Sequence, residues 1–280
     1  MDTEVAYSAR RVDLFAPARG VQFFAQGKPP SEAALCAEMS RLAYCRSEPS
    51  LAFDRERVQA ALNAVGFNGC DFFEQSGSHC LFAHAGDLHV LAFRGTDADD
   101  PTDMGYDADV IQRAWVNGRV HTGFAQALKE LEPELESAMK AVHGRVLFTG
   151  HSLGAAMATL YASLRRPDHL YTFGSPLVGD QDFVDSLAAV PSRRYVNCCD
   201  LVTRVPPVIL GYAHVGKPHY IDFTRRVIYD PDAEVIESDQ SEARRDYLLR
   251  HTWRRDTVAL RDLADHAPIN YVLPIMAAAD

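Results

Sequence analysis

The chain has 280 residues and 47% of them are apolar, so it can bury a substantial core and is not of disordered composition. Its 28 Lys and Arg against 38 Asp and Glu give a formal charge of −10. The arginine pairs at 165–166 and 254–255 are interrupted by acids, which predicts solvated helix faces and no nucleic-acid partner. No stretch reaches the length of a membrane span, so stable membrane insertion is not expected.

The six cysteines are predicted to be reduced thiols. Cys36 and Cys45 lie nine residues apart on one predicted helical segment, too far along its axis to bridge. Cys198 and Cys199 are adjacent in a predicted strand, where a disulfide would strain the backbone. Residues 1–20 are charged and lack the apolar core of a signal peptide. These features favour a cytoplasmic protein and leave export without a classical signal open.

The first half of the chain is predicted to begin with an irregular arm over residues 1–30. Ser31 is a candidate cap for a helix that ends near residue 46, and Gly66 is expected to end a second helix over 54–65. Three strands are predicted at 70–74, 79–83 and 88–93, the last two joined by a hairpin turn at 85–87.

The second half alternates strands with helices, which predicts an α/β fold with a mostly parallel sheet in a single domain over 1–280. Residues 208–240 are expected to lie outside this sheet, as a surface hairpin at 220–223 and 226–229 followed by a polar loop at 232–240. The other predicted strands are 110–115, 118–121, 145–149, 170–173 and 194–199, and the helices are 124–142 (interrupted or bent at Pro133), 155–164, 180–187 and 242–263.

The sequence Gly-His-Ser-Leu-Gly at 150–154 fits G-x-S-x-G, the nucleophile elbow of α/β-hydrolases. It stands between a predicted buried strand and an alanine-rich predicted helix, which is the setting that such an elbow requires. The two glycines permit a sharp turn and a close approach of strand and helix. The context favours a nucleophilic Ser152 over an incidental serine in a glycine-rich turn.

A serine hydroxyl needs a histidine to accept its proton, and the histidine needs an acid to orient it. In α/β-hydrolases the three follow in the order Ser, Asp, His. Asp200 follows a predicted strand, and His266 follows the last predicted helix, so chain order indicates Ser152, Asp200 and His266 as the catalytic set.

Seven ordered segments make this chain resemble the class 3 lipase family, the fungal triacylglycerol lipases, over roughly residues 35–271. The resemblance implies an α/β-hydrolase fold, Ser152 as nucleophile, Asp200 as triad acid and His266 as base. It also implies an oxyanion hole made by Thr96 with the backbone N–H of Leu153, each donor worth about 3 kcal/mol of barrier. The segments are 93–96, 120–124, 150–154, 172–179, 197–207, 214–216 and 265–266.

Other polar residues near these motifs are assigned structural roles. His151 is expected to point away from the serine's partner and to pack, and Asp180 and Asp182 to cap a helix. Asp262 and Asp265 are interpreted as helix or loop charges that could touch the base. His121, His214 and His219 are expected to order loops, and His79, His84 and His89 straddle a hairpin and do not predict a metal site, so no cofactor is implied.

In class 3 lipases the segment after the oxyanion residue forms a lid, which corresponds here to residues 97–106. Six aspartates lie between residues 97 and 109 with few apolar residues, so strong activation at a lipid interface is not expected.

The predicted function is a serine carboxylic-ester hydrolase of the EC 3.1.1 type, acting on acylglycerols, related lipid esters or smaller esters through an acyl-enzyme. Transient contact with a lipid surface is compatible with it. A phospholipase, a feruloyl-type esterase and a catalytically silent binding module remain alternatives.

Overall fold

The structure, a computed structural model, describes residues 5–48, 50–96 and 111–278. The predicted lid at 97–106 therefore lies outside the described residues. Within them, eight strands form one sheet in the order β1-β2-β3-β6-β7-β8-β9-β10, and β4 and β5 form a separate pair. The strands are β1 Gly69–Gln75, β2 Ser78–Ala85, β3 Leu88–Phe93, β4 Gln112–Ala114, β5 Arg119–His121, β6 Arg145–His151, β7 His169–Phe173, β8 Ser192–Asn197, β9 Pro218–Ile221 and β10 Val227–Tyr229.

The middle of the sheet is parallel, and both edges are antiparallel. The five strands β3, β6, β7, β8 and β9 pair in parallel, whereas β1-β2-β3 and β9-β10 are hairpins. This confirms the predicted α/β class with a mostly parallel sheet. The carboxyl ends of parallel strands meet at one edge of the sheet, where ligand sites of such folds lie.

Helices cover both faces of the sheet. Helices α2 and α9 pack on one face, while α4 and α5 pack on the other. Adjacent strand residues enter opposite cores, Leu147 on the α2 face and Phe148 on the α5 face, which is why β6 is a continuous apolar run. The helices are α1 Arg11–Phe15, α2 Glu32–Leu42, α3 Arg55–Asn63, α4 Thr122–Met139, α5 Leu153–Leu164, α6 Gln181–Ser186, α7 Ala233–Arg250, α8 Arg261–Ala264 and α9 Ile269–Ala277.

Three helices begin at caps that the sequence could indicate. The Ser31 hydroxyl accepts a hydrogen bond from the backbone N–H of Ala34, as expected. Asp54 and Asp180 cap α3 and α6 in the same way. The role of Asp180 as a cap is thereby confirmed.

The prediction for residues 208–240 is right about an antiparallel hairpin but wrong about its place and about the loop that follows. Strands β9 and β10 are not an outlying hairpin, because β9 pairs in parallel with β8 and extends the main sheet. Residues 233–240 are not a loop but the first turns of α7. This helix buries only Gln240, Ala243 and Tyr247, so its sequence lacks the broad apolar stripe by which a helix is recognised.

Other boundaries also differ from the predictions. Pro133 does not interrupt α4, because the stripe formed by Leu128, Leu131 and Leu135 is fully buried and holds the helix in place. The N-terminal arm contains α1 and places Phe23 in the core. Helix α7 ends at Arg250, and α9 was not predicted.

The cysteines are unpaired, but two of them are not in a strand. All six are free, and Cys198 and Cys199 occupy the turn that follows β8, with φ of 30° at Cys198. Among the described residues, no helix combines the length and the apolar composition that a membrane span requires.

Candidate active site

Ser152 stands on the turn between β6 and α5. Its backbone has φ of 60° and ψ of −130°, a conformation that costs energy for any residue except glycine. The backbone N–H donates to the carbonyl oxygen of Phe173 at the end of β7, at 3.0 Å. The side chain does not cap α5, and the residue is buried. Strain held in place by the sheet is typical of a functional turn.

The two glycines of the elbow are required by close packing of strand and helix. A Cβ on Gly150 would lie 2.3 Å from the backbone carbonyl of Gly154, and one on Gly154 would lie 2.2 Å from the carbonyl oxygen of Phe93. Real Cβ atoms do not approach backbone so closely. The absence of side chains at these positions brings α5 down onto β3 and β6, so that Ser152 is held at the carboxyl edge of the parallel strands.

Asp200 and His266 form a buried pair at the same edge. Asp200 follows β8, and His266 lies between α8 and α9. The Nδ1 of His266 lies 2.8 Å from Oδ2 and 3.0 Å from Oδ1 of Asp200, and both residues are almost completely buried. A hydrogen-bonded carboxylate fixes the tautomer that carries its proton on Nδ1.

Asp200 is held in place by two further donors. The backbone N–H of Val202 donates to Oδ1 at 2.9 Å, and the hydroxyl of Tyr271 on α9 donates to Oδ2. Burial and the neighbouring Asp200 carboxylate raise the pKa of Tyr271 well above its ordinary value, so the hydroxyl keeps the proton that it donates. Three donors on one carboxylate fix its position against His266.

The structure brings His266 against the elbow. Its ring centre lies 4.4 Å from that of His151, the residue before the serine. The β-position of Gly174 lies 3.1 Å from both Nδ1 and Cε1 of His266, and Gly174 follows Phe173, which accepts the serine N–H. Ser152, Asp200 and His266 are therefore gathered at the ends of β6, β7 and β8.

His151 packs directly on the catalytic candidate and does not point away from it as expected. Its Nε2 donates to the backbone oxygen of His266 at 2.8 Å, and its Nδ1 lies 2.9 Å from the hydroxyl of Tyr44. Burial, together with His266, lowers its pKa well below 6.5, so the ring is neutral. A neutral ring that donates from Nε2 must accept at Nδ1, which assigns the Tyr44 hydroxyl as donor.

The remaining nitrogen of His266, Nε2, is the candidate proton acceptor of the site. With Nδ1–H directed at Asp200, Nε2 carries a lone pair, and it has no hydrogen-bond partner among the described residues although it is buried. A buried nitrogen without a hydrogen-bond partner is uncommon, and a proton-accepting role would account for it. It can take a proton from a hydroxyl beside it.

The two predicted oxyanion donors border Ser152. Leu153 is the first residue of α5, and N–H groups in the first turn have no acceptor within the helix. Thr96 is exposed and follows Gly95, whose β-position lies 3.1 Å from the Cβ of Ser152. Both residues thus lie beside the serine.

The alternative acids have other partners. Asp265 is fully buried, forms an ion pair with Arg261 at 3.1 Å and accepts from the backbone N–H of Cys199. Asp262 pairs with Arg244, and Asp182 lies in the first turn of α6. None of these is bonded to the imidazole of His266 in the described part of the chain.

The other histidines serve the scaffold. His121 caps α4 through Nδ1, and His214 bonds the carbonyl of Thr203, where burial and then Arg194 lower its pKa to about 3. His84 and His89 bond each other across the β2-β3 hairpin, and His79 bonds a backbone oxygen.

One described cluster could hold a metal, formed by Cys198, Cys199 and Asp265. Asp265 is already neutralised by Arg261, and the neighbouring thiol and burial raise the pKa of Cys198. The Cys198 thiol therefore resists the ionisation that metal binding needs.

The supports of the site were not anticipated. Tyr271 bonds Asp200, and the side chain of His151 bonds the backbone oxygen of His266. Tyr44 in turn bonds His151. Each of these contacts joins distant parts of the chain. No spacing or periodicity in the sequence reports such contacts.

Comparison with known proteins extends this description. Residues 90–210 match the model of the lipase (class 3) family. A secreted mono- and diacylglycerol lipase 1 of Fusarium solani is 35% identical, over 37% of this chain and 34% of its own length. Triacylglycerol lipase OBL1 of Arabidopsis thaliana is 26% identical, over 67% and 48% respectively. The matches thus span between a third and a half of these relatives.

The solved structures agree with the fold. That of the Rhizomucor miehei triacylglyceride lipase superposes with a TM-score of 0.57 at 22% identity, covering 86% of this chain and 94% of that one. The family model covers the strand before Thr96, the elbow and the Asp200 loop. Residues 90–210 of this chain are therefore similar to the class 3 lipase family, and the described structure shares the fold of a solved lipase.

Proposed function

We propose that this protein is a serine carboxylic-ester hydrolase that acts on acylglycerols or related lipid esters. The observation that carries the proposal is the buried Asp200–His266 pair at the serine elbow, with Nε2 of His266 left to accept a proton. The match of residues 90–210 to the class 3 lipase family supports it, as do the activities for which the Fusarium and Arabidopsis relatives are named.

In this mechanism Ser152 attacks the ester carbonyl while His266 takes its proton. The N–H of Leu153 and Thr96 stabilise the charge on the tetrahedral oxygen. His266 returns the proton to the leaving alcohol, which leaves an acyl-serine. Water, deprotonated by His266, then releases the fatty acid and restores the hydroxyl. Asp200 stabilises the imidazolium at both steps, and Tyr271 and Val202 hold Asp200.

An exposed apolar turn in the segment that follows Asp200 suits a substrate at a lipid boundary. Residues Val208, Ile209 and Leu210 form an exposed 3-10 turn in the segment that connects Asp200 to β9. Ala213, just beyond it, bonds to Gly179 in the loop that follows β7. This exposed surface favours acylglycerols over fully soluble esters.

The test is hydrolysis of nitrophenyl esters of increasing chain length and of mono-, di- and triacylglycerols by the wild type and Ser152→Ala. The variant is expected to lose roughly 10⁶-fold in kcat, by analogy with a serine protease. Equal rates would refute the mechanism and favour a silent binding module. Preference for phospholipid or feruloyl esters would keep the mechanism and replace the substrate class.

The acidic segment at 97–109 makes a separate prediction. Rates should rise smoothly as the substrate passes its solubility limit, because a segment of this acidic composition offers little apolar area to an interface. An abrupt rise at that limit would contradict it.

A further inference from the structure

An exposed cluster of apolar side chains lies at the end of α7, away from any role assigned above. Leu248 and Leu249 are 53% and 75% exposed, Trp253 is 87% exposed and Leu260 is 55% exposed. We call these residues, with the arginines described next, the Trp253 surface. Single exposed leucines are ordinary, but a tryptophan almost wholly in water, within seven residues along the chain of three exposed leucines, is not.

Arginines surround these side chains. Residues 245–255 contain four arginines (245, 250, 254 and 255) and one acid, Asp246, a local charge of +3 in a chain of −10. Asp246 pairs with Arg250 at 2.7 Å, and Asp256 follows the segment. Arg245, Arg254 and Arg255 are exposed, and none forms an ion pair with another described residue. The earlier interpretation of the 254–255 pair as part of a helix face is wrong, because α7 ends at Arg250.

The N-terminal arm adds two more arginines to the same place. The N–H of Arg11 donates to the carbonyl of Asp256 at 2.9 Å, and the N–H of Val258 donates to that of Ala9 at 2.8 Å. Arg10 and Arg11 are exposed. Two segments far apart in sequence therefore join in one basic surface.

The surface is firmly supported from within. The Tyr247 hydroxyl donates to the carbonyl of Val258, and the Thr257 hydroxyl lies within 2.8 Å of the carbonyls of His251 and Arg254. These hydrogen bonds hold the turns after α7 in place, so the segment that carries the exposed Trp253 is tied to the body of the protein.

We infer that the Trp253 surface docks this protein on an anionic phospholipid membrane. Tryptophan is favoured at the headgroup level of a bilayer, leucines insert just below it, and arginines bind the phosphates. A second copy of the chain fits less well, because a symmetric contact would face arginines with arginines. Nucleic acid fits less well because exposed leucines provide neither charge nor hydrogen bonds to its phosphates and bases. Attachment through this surface requires no contact between anionic lipid and the acidic residues at 97–109, which such lipid would repel.

The first measurement leaves the surface intact. Trp115 and Trp253 are the two tryptophans, so in Trp115→Phe the emission reports Trp253 alone. Vesicles containing phosphatidylglycerol should shift this emission to the blue, and brominated acyl chains should quench it. Phosphatidylcholine vesicles should have little effect, and high salt should reverse the binding. An unchanged emission with anionic vesicles would overturn the inference.

The second measurement is co-sedimentation with the same vesicles. Trp253→Ala with Leu249→Ala, and separately Arg254→Glu with Arg255→Glu, should each weaken binding at least tenfold. The control, Lys129→Glu with Lys140→Glu, makes the same charge change at exposed positions on α4 and at its C-cap, and it should bind as the wild type does. An equal loss of vesicle binding in the control would show that only the net charge of the protein matters, and it would overturn the inference.

Two controls separate this inference from the proposed function. Hydrolysis of a soluble nitrophenyl ester should be unchanged in Trp115→Phe, in the two double variants of the Trp253 surface and in the lysine control. Ser152→Ala should bind vesicles as the wild type does. Sedimentation velocity without lipid should show the same monomer for the wild type and the Trp253 variant. A wild-type dimer that Trp253→Ala dissociates would assign the surface to a second copy instead.

Discussion

The serine elbow at 150–154 and the C-terminal segment at 261–277 supply parts of one site in different ways. The turn of the elbow is shaped in large part by contacts between neighbours in the chain, such as the 2.3 Å that would separate a Cβ on Gly150 from Gly154. The C-terminal segment is placed by hydrogen bonds to Asp200 across 66 residues for His266 and 71 for Tyr271. Local steric limits select recognisable residues, whereas long-range bonds leave no pattern in sequence.

The largest effect is expected where the two regions meet through Asp200. Asp200→Asn keeps the size of the side chain but removes the charge that holds His266 in its tautomer. We expect kcat to fall by ~10⁴, with KM little changed, by analogy with the corresponding change in a serine protease. Steady-state kinetics on a soluble ester measure it.

The control for this variant is Asp262→Asn. Asp262 is bonded to Arg244 at the surface and not to His266, so its kcat should stay within twofold of the wild type. A kcat for Asp200→Asn near that of the wild type would show that another acid orients the base.

The elbow is tested by filling its tightest contact. In Gly150→Ala the new Cβ would meet the backbone of Gly154, so strand and helix must separate. We expect the free energy of unfolding to fall by about 3 kcal/mol, measured by urea denaturation. Gly69→Ala on β1 is the matched control, since its Cβ would lie 3.5 Å from His84, an ordinary contact. Equal stability of the two variants would contradict the packing argument.

The C-terminal support is tested by removing one hydroxyl. Tyr271→Phe deletes a donor to Asp200, and we expect kcat to fall ~10-fold with KM unchanged, along with a stability loss of about 1–2 kcal/mol. Tyr220→Phe deletes an equivalent buried bond to Asp239, at 2.7 Å. It should lose similar stability and no activity. A parallel loss of kcat in both variants would reduce Tyr271 to a packing role.

The smallest effect is expected at His151, which joins the two regions. Burial keeps its pKa well below 6.5 in the folded protein, whereas the unfolded chain binds a proton as pH falls through about 6.5. The unfolded state then holds more protons, so stability falls with decreasing pH below that value, by up to ~1.4 kcal/mol per pH unit.

His151→Gln should remove this part of the slope between pH 6.5 and 5, as measured by chemical denaturation at each pH. His143→Gln is the control, because that side chain is exposed. An identical slope for the wild type and His151→Gln would show that His151 does not carry the effect.

The sequence predicted what short-range rules govern. The β2-β3 hairpin, the cap at Ser31 and the strand–turn–helix around Ser152 follow from turn chemistry, capping and apolar runs. The helix at 233–240 and the pairing of β9 with β8 were not predicted. Their residues show only a weak hydrophobic pattern, and tertiary packing determines their structure. Chain order indicated Asp200 and His266, but their supports, Tyr271 and His151, became visible only with coordinates.

The most direct test of the central claim is covalent capture of the nucleophile. A fluorophosphonate probe should label the wild type at a single residue, and peptide mass spectrometry should place the adduct on Ser152. Ser152→Ala should not react, and His266→Ala should react far more slowly, because the hydroxyl then has no base. Labelling of another residue, or equal labelling of Ser152→Ala, would contradict the assignment.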